Sequence, residues 1–236
     1  METDILPPSG FLLVDKPTEW TSHDVVGYLR GVTKIKKIGH AGTLDPFATG
    51  LLIVGIGREA TKRIDEFKGM KKIYVTSIQL GAISDTQDCT GVLSDIHENI
   101  PVYNKEDIEA VLQTFMGEHT QIPPMYSAKK VAGKKLYELA RAGKTVERAP
   151  CEITIHTIEL INVDSDTAVI DLRCTVSTGT YIRTLAHDIG QALGVGAYCK
   201  TLRRTHIGDY TVDDAIPPKS FEKDSWEKRL LQVPPL

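Results

Sequence analysis

The sequence predicts a mixed α+β fold whose strands need not run parallel. Three observations carry this. Apolar residues recur at helical spacing in three separate stretches, Val25-Val26-Leu29-Val32, Ile108-Val111-Leu112-Phe115 and Leu185-Ala186-Ile189-Ala192-Leu193. Ala168 to Val176 alternates, with Ile170, Leu172, Cys174 and Val176 on one face and Asp171, Arg173 and Thr175 on the other. Leu51 to Val54 is continuously apolar, which suits a strand buried on both sides.

In chain order, Gly10 to Asp15 reads as a strand that ends in a turn at Lys16-Pro17. Thr21 or Ser22 supplies the cap for the first helix. Leu51–Val54 and Ile73–Leu80 follow as strands, and Asn104 precedes the second helical stripe. Thr120 to Pro150 stands apart. It is basic, opens with Ile122-Pro-Pro-Met, contains Gly133 and Gly143, and reads as an inserted loop and short helix on the surface. The charged tail after Ile216-Pro-Pro, ending in Val233-Pro-Pro-Leu, is expected to wrap the surface or fray.

The chain of 236 residues is 41% hydrophobic and 25% charged, ordinary for a soluble protein with a real core. No apolar run nears the roughly 18–20 residues that span a bilayer. The start, Met1-Glu-Thr-Asp-Ile-Leu-Pro-Pro, lacks the basic and apolar regions of a signal peptide, so the expected compartment is the cytoplasm. Cys89, Cys151, Cys174 and Cys199 are scattered and read as reduced thiols. The histidines show no metal-ligand spacing, and no metal is expected.

A net charge of −3 argues against a nucleic-acid partner if taken alone. A partner meets only one face, however, and the charges are uneven. Tyr28–His40 carries Arg30, Lys34, Lys36 and Lys37 with no acid. Gln121–Pro150 carries seven basic residues against two acids, and Lys200, Arg203 and Arg204 form a third cluster. Each cluster alone reads as a solvated face; three of one sign make a basic groove credible.

The segment Gly39-His-Ala-Gly-Thr-Leu-Asp45-Pro-Phe-Ala-Thr-Gly50 is the chief candidate for chemistry. Its glycines allow unusual backbone angles, and Pro46 favours an extended Asp45. A carboxylate on such a loop suits covalent catalysis. By itself Asp45 reads as readily as a turn cap.

This segment closely resembles the signature of the TruB family of pseudouridine synthases. Other stretches match that family in order: Leu13-Val-Asp-Lys16-Pro17, Lys72-Ile-Tyr74-Val, Asp85-Thr-Gln-Asp88 with Gly91, Ile122-Pro-Pro-Met-Tyr126 through Lys129 to Tyr137, Ser177-Thr-Gly-Thr-Tyr181-Ile-Arg183, and Leu202-Arg203-Arg204. The likeness spans about residues 10 to 216. Thr90 stands where family members often carry a third acid. The resemblance implies a mixed, mainly antiparallel sheet flanked by helices, with an inserted basic RNA-gripping segment at about 120–150. The tail is too short for the C-terminal PUA domain of many relatives, so residues 1–236 are expected to form a single catalytic domain.

The same resemblance implies a tRNA pseudouridine synthase that needs no cofactor. Its substrate would be the T-loop uridine (U55) in the T-arm, with no membrane and no obligate protein partner, and a monomer by default. Asp45 would be the nucleophile, adding to uracil C6 or ribose C1′. Arg183 would pair with it; a neighbouring guanidinium typically lowers a carboxylate pKa by about 1–3 units. The uridine must leave its stack to be reached, and Tyr74 would pack against the flipped base. Tyr181 and Leu202 would line the same pocket, His40 would meet the RNA where bases are displaced, and Lys16 would support the pocket. Asp88 would join the RNA contacts through the acidic turn. Lys129, Lys130, Lys134 and Lys135 of the insertion, with Arg203 and Arg204, would hold the RNA backbone in a salt-dependent way.

Two other readings compete. Gly55-Ile-Gly57-Arg-Glu-Ala60 fits a dinucleotide-binding fingerprint, but the helix after it is short and Gly81 stands where a ribose-binding acid belongs. The other is an RNA-folding factor on the same scaffold, or a synthase acting on a different RNA. Intact Asp45, Tyr74 and Arg183 argue for turnover.

Overall fold

A computed structural model describes residues 8–131 and 133–232. The chain begins with β1 (Gly10–Lys16), α1 (Ser22–Thr33), β2 (Ile38–Ala41), β3 (Thr49–Ile56), α2 (Gly57–Lys62), α3 (Ile64–Lys68) and β4 (Lys72–Leu80). It continues with β5 (Ile83–Ser84), β6 (Leu93–Ser94), α4 (Lys105–Gln113), β7 (Gly117–Gln121), β8 (Lys130–Val131), β9 (Lys134–Lys135) and α5 (Leu136–Arg141). It ends with β10 (Cys151–Asp164), β11 (Val169–Val176), α6 (Ile182–Ala192), β12 (Ala197–Ile207), β13 (Tyr210–Thr211), three short 3-10 turns and β14 (Leu231–Gln232). The mixed α+β reading holds. Among the described residues, no helix is long and apolar enough to cross a membrane. The residues are grouped in two units: one combines the chain up to Lys71 with Arg203 onward, the other is Lys72–Leu202.

In the first unit β1 pairs antiparallel with both β14 and β3, and β2 folds back antiparallel on β3. The end of β12 joins β3 in parallel, with Arg204 opposite Gly50. Leu52, Val54 and Ile56 of β3 bury with Val25, Val26, Leu29 and Val32 of α1. Leu51 and Ile53 bury on the other face with Ala60, Ile64 and Phe67. Helices cover both faces, which is why this strand lacks alternation. Each such side chain contributes about 1.5–3 kcal/mol on burial. Thr21, not Ser22, caps α1: its hydroxyl accepts from the Asp24 amide while the Asp24 carboxylate accepts from the Thr21 amide. The dinucleotide reading fails here. β3 has antiparallel neighbours in β1 and β2, and the helix after Gly57 has 6 residues, so there is no strand–helix–parallel-strand unit for the fingerprint.

The tail differs from expectation. Phe221 and Trp226 are buried in the α1 cluster, and Leu231 pairs with Phe11. Two large aromatic rings outweigh the tail's charges, because the charged side chains between them point outward while the rings fill the core. Residues 233–236 and the N-terminal residues 1–7 lie outside the described residues.

In the second unit β4, β11, β10 and β7 are successive neighbours, each pair antiparallel. β11 buries Ile170, Leu172, Cys174 and Val176, as its alternation predicts. Tyr74 stands opposite Cys174. Asn104 caps α4 by accepting from the Asp107 amide, and α4 buries Ile108 and Leu112 while packing on β10 and α6. The basic segment joins β7 to β10, whose ends pair at Gln121 and Cys151. It contains the small β8–β9 hairpin and α5. All four cysteines are free.

Replacing Trp226 by alanine is expected to lower unfolding stability by about 3–5 kcal/mol. Urea denaturation checks this. An unchanged midpoint would mean that the tail is not part of the core.

Candidate active site

Asp45 lies on the hairpin loop between β2 and β3, residues 42–48. Four groups hold this loop by its main chain. Ser22 accepts from the Leu44 amide at 2.9 Å and donates to the Leu44 carbonyl at 3.2 Å. The Glu19 amide donates to the Pro46 carbonyl at 2.8 Å. Lys16 donates to the same carbonyl at 3.2 Å and to the carbonyls of Trp20 and Pro17. Arg204 donates to Leu51 O at 2.8 Å and to Gly42 O at 3.1 Å, bridging the two strands that carry the loop. Gly50, with φ of 103°, lets the Arg204 backbone approach; a Cβ there would lie 2.2 Å from the Arg204 carbonyl. Asp45 is therefore half-buried between points fixed on either side.

Lys16 and Arg204 are almost fully buried, at 0% and 1% exposure. Burial pulls the Lys16 ammonium down to about 8; the Asp45 charge opposes this, and Arg204 adds to the fall. Lys16 stays protonated at neutral pH, which its three carbonyl contacts require. His40, on β2, is pulled down to about 4, first by burial and then by the positive charge of Arg204. It is neutral at physiological pH, so its ring carries hydrogen-bonding nitrogens and an aromatic face but no charge.

The second unit holds Tyr74, Asp88, Tyr181, Arg183 and Leu202. Arg183 opens α6 and is 3% exposed. Its guanidinium donates to Thr86 O at 2.7 Å, Tyr126 O at 2.8 Å and the Asp88 carboxylate at 3.2 Å. Asp88 in turn accepts from the Thr86 hydroxyl and from the Thr90 amide and hydroxyl. Thr90, where the family often has an acid, thus stabilises this turn through hydrogen bonds. Tyr74 is 9% exposed on the buried face of β4, and Leu202 is buried. The Tyr181 backbone is held at both its amide and its carbonyl by the Gln121 side-chain amide, at 2.8 and 3.0 Å.

Several expectations need correction. Arg204 does not face RNA phosphates; its guanidinium is consumed by carbonyls inside the protein. Arg203 is paired through two nitrogens with Asp15, at 3.0 and 2.8 Å, while its side chain stays 41% exposed. Asp88 is enclosed with Arg183 and belongs to that pair, not to an RNA-facing surface. Lys16, expected as a support, is fully buried and holds the loop through the Pro46 carbonyl. Lys130 and Lys134 of the insertion are exposed as expected, while Lys129 and Lys135 are partly covered. Lys129 donates to the Cys151 sulfur, and Lys135 to the Tyr137 hydroxyl.

Sequence reasoning missed Ser22, Gln121 and Tyr126. Ser22 was read only as a cap, and Gln121 only as the start of the insertion. The Tyr126 carbonyl leaves no trace in residue type, since any residue supplies one.

The family model described as TruB family pseudouridylate synthase, N-terminal domain, matches residues 30–182. The model described as tRNA pseudouridylate synthase B C-terminal domain matches residues 183–232. A curated protein of Opitutus terrae, named tRNA pseudouridine synthase B, is 46% identical over 95% of this chain and 92% of its own length. One of the same name from Cupriavidus metallidurans is 44% identical over 93% of this chain and 69% of its own. A chain from a solved Cbf5–Nop10–Gar1 complex superposes with a TM-score of 0.67 at 31% identity, covering 88% of this chain; this chain spans about half of it, 51%. The fold and the Asp45 loop thus define a pseudouridylate synthase. Within that class, the chain belongs to the TruB family.

Three outcomes follow from the geometry. Asp88→Asn, by removing the buried carboxylate charge that faces Arg183, should cost about 3–5 kcal/mol of stability in denaturant titration; a loss within error contradicts the pairing. Arg204→Met should destabilise by at least about 1–3 kcal/mol, since it strands two main-chain carbonyls; calorimetry reads this, and an unchanged melting temperature contradicts it. The folded-state pKa of His40 lies below its ordinary value of 6.5. Its contribution to stability is complete above that value and is lost as pH falls toward about 4. His40→Gln should therefore flatten the acid side of the stability profile between those two values, and an identical profile would contradict a depressed His40.

Proposed function

We propose that the protein is a tRNA pseudouridine synthase that isomerises the T-loop uridine, U55, within the T-arm. The observation that carries this is the near full-length similarity to the Opitutus terrae protein of that name, together with the intact loop motif around Asp45. The reaction breaks the N1–C1′ bond of uridine, turns the base and rejoins C1′ to C5. A proton leaves C5 and N1 gains one, so no oxidant, energy source or cofactor enters the balance.

The family pattern assigns Asp45 as nucleophile, at uracil C6 or ribose C1′. The C1′ route has the logic of a retaining glycosidase, in which a carboxylate stabilises an oxocarbenium-like centre. The same pattern assigns Arg183 as the catalytic cation and Tyr74, Tyr181 and Leu202 as contacts of the flipped base. Aromatic stacking of a base is worth about 1–3 kcal/mol. The exposed Lys130 and Lys134, with Lys129 and Lys135, supply cations for the RNA backbone. Residues 1–236 are proposed to work as one catalytic domain, as a monomer, in the cytoplasm, on tRNA without a protein partner.

Asp45→Asn keeps the size of the side chain and removes its charge. It should bind tRNA with wild-type affinity yet form no pseudouridine when transcripts are mapped for the modified base. Modification by this variant at the wild-type rate would refute Asp45 as the nucleophile.

A further inference from the structure

Of the three basic clusters in the sequence, the last is taken up internally, Arg203 by the Asp15 carboxylate and Arg204 by buried main-chain carbonyls. The first, Arg30 to Lys37, is not. Arg30 and Lys37 line a groove of about 580 Å³ in the first unit, together with His23, His40, Asp65 and Lys68. That volume is in the usual ligand-site range of about 300–1,000 Å³. Lys68 is taken up by Asp65 at 2.5 Å. Arg30 and Lys37 are exposed and have no acidic partner among the described residues. Arg30 donates Nε to the Lys36 carbonyl at 3.2 Å, which orients its side chain without neutralising it.

The groove is lined by two kinds of group. Gly42 and Thr43 of the Asp45 loop and the half-buried His40 belong to its wall. Arg30 and Lys37 supply positive charge that no acid pairs among the described residues. A nucleotide carries both matching parts: an aromatic base with neutral hydrogen-bonding edges, and an anionic phosphate. An acidic peptide would match the cations but not the ring, and it would have no reason to run onto the loop that carries the nucleophile.

We infer that this groove is a second RNA subsite, separate from the basic insertion, which takes a nucleotide beside the target uridine and binds its flanking phosphates through Arg30 and Lys37. The inference rests on the tRNA reading above. It adds a grip that the insertion does not supply, on the first unit and continuous with the Asp45 loop.

The test is the salt dependence of tRNA binding by the full chain, with turnover measured in parallel. Each phosphate contact contributes about 0.7–0.9 to the slope of log affinity against log salt. The double variant Arg30→Glu/Lys37→Glu should therefore flatten the slope by about 1.4–1.8 and weaken binding roughly tenfold or more near physiological salt. Its rate at saturating tRNA should stay within about twofold of wild type, because neither residue is placed on the reacting base. Lys34→Glu/Lys36→Glu makes the same net charge change outside the groove lining and serves as the comparison; it should lose much less. Thermal melts establish that both variants fold. Wild-type affinity and slope in the groove variant would overturn the subsite, as would equal losses in the two variants. A wild-type protein that makes no pseudouridine in tRNA would instead remove the functional reading beneath it.

Discussion

The Asp45 loop depends on two buried cations that have main-chain carbonyls for hydrogen-bond partners. Arg204 ties Gly42 to Leu51, and Lys16 ties Pro46 to Pro17 and Trp20. Burying a charge costs several kcal/mol unless hydrogen bonds replace water. Here that replacement comes in part from carbonyls of the Asp45 loop itself, Gly42 and Pro46. The loop cannot relax without stranding a cation, and the cations cannot be desolvated without the loop. The Arg204 charge also acts on its surroundings: added to burial, it favours the neutral form of His40.

The second unit repeats this logic with one change. Arg183 also binds two carbonyls, Thr86 O and Tyr126 O, but its charge is met by Asp88. One guanidinium therefore links the acidic turn, the start of the basic insertion and the N-terminus of α6. Gln121 adds a second link, from the end of β7 to the backbone of Tyr181. Residues that the family pattern assigns to the base are thus set by groups at the root of the segment assigned to RNA binding.

Much of the fold was legible because periodicity reports burial directly. β11 alternates and is buried on one side; β3 does not alternate and is buried on both. β10 was not legible as a strand of 14 residues, since register shifts at Ile155/Thr157 and Leu160/Asn162 break its alternation. The tail was misjudged because composition weighs many charges against two rings, whereas the core counts the rings. In the site, Asp45, Tyr74 and Arg183 were legible only through the ordered family motifs. The buried states of Arg204, Lys16 and Asp88 were not. A charged residue type in a sequence says nothing of whether carbonyls, a carboxylate or water will satisfy it. Arg30 and Lys37 show the converse: they looked like an ordinary basic face, and the structure sets them in a groove.

Whether buried cations position the Asp45 loop for chemistry is read by single-turnover conversion of tRNA by Arg204→Lys at saturating enzyme. Lysine keeps the charge but lacks the guanidinium fork that reaches Leu51 O and Gly42 O together. The conversion rate should fall at least about tenfold, equivalent to roughly 1.4 kcal/mol at the barrier, with tRNA affinity unchanged. A wild-type conversion rate in a folded Arg204→Lys protein would contradict that positioning.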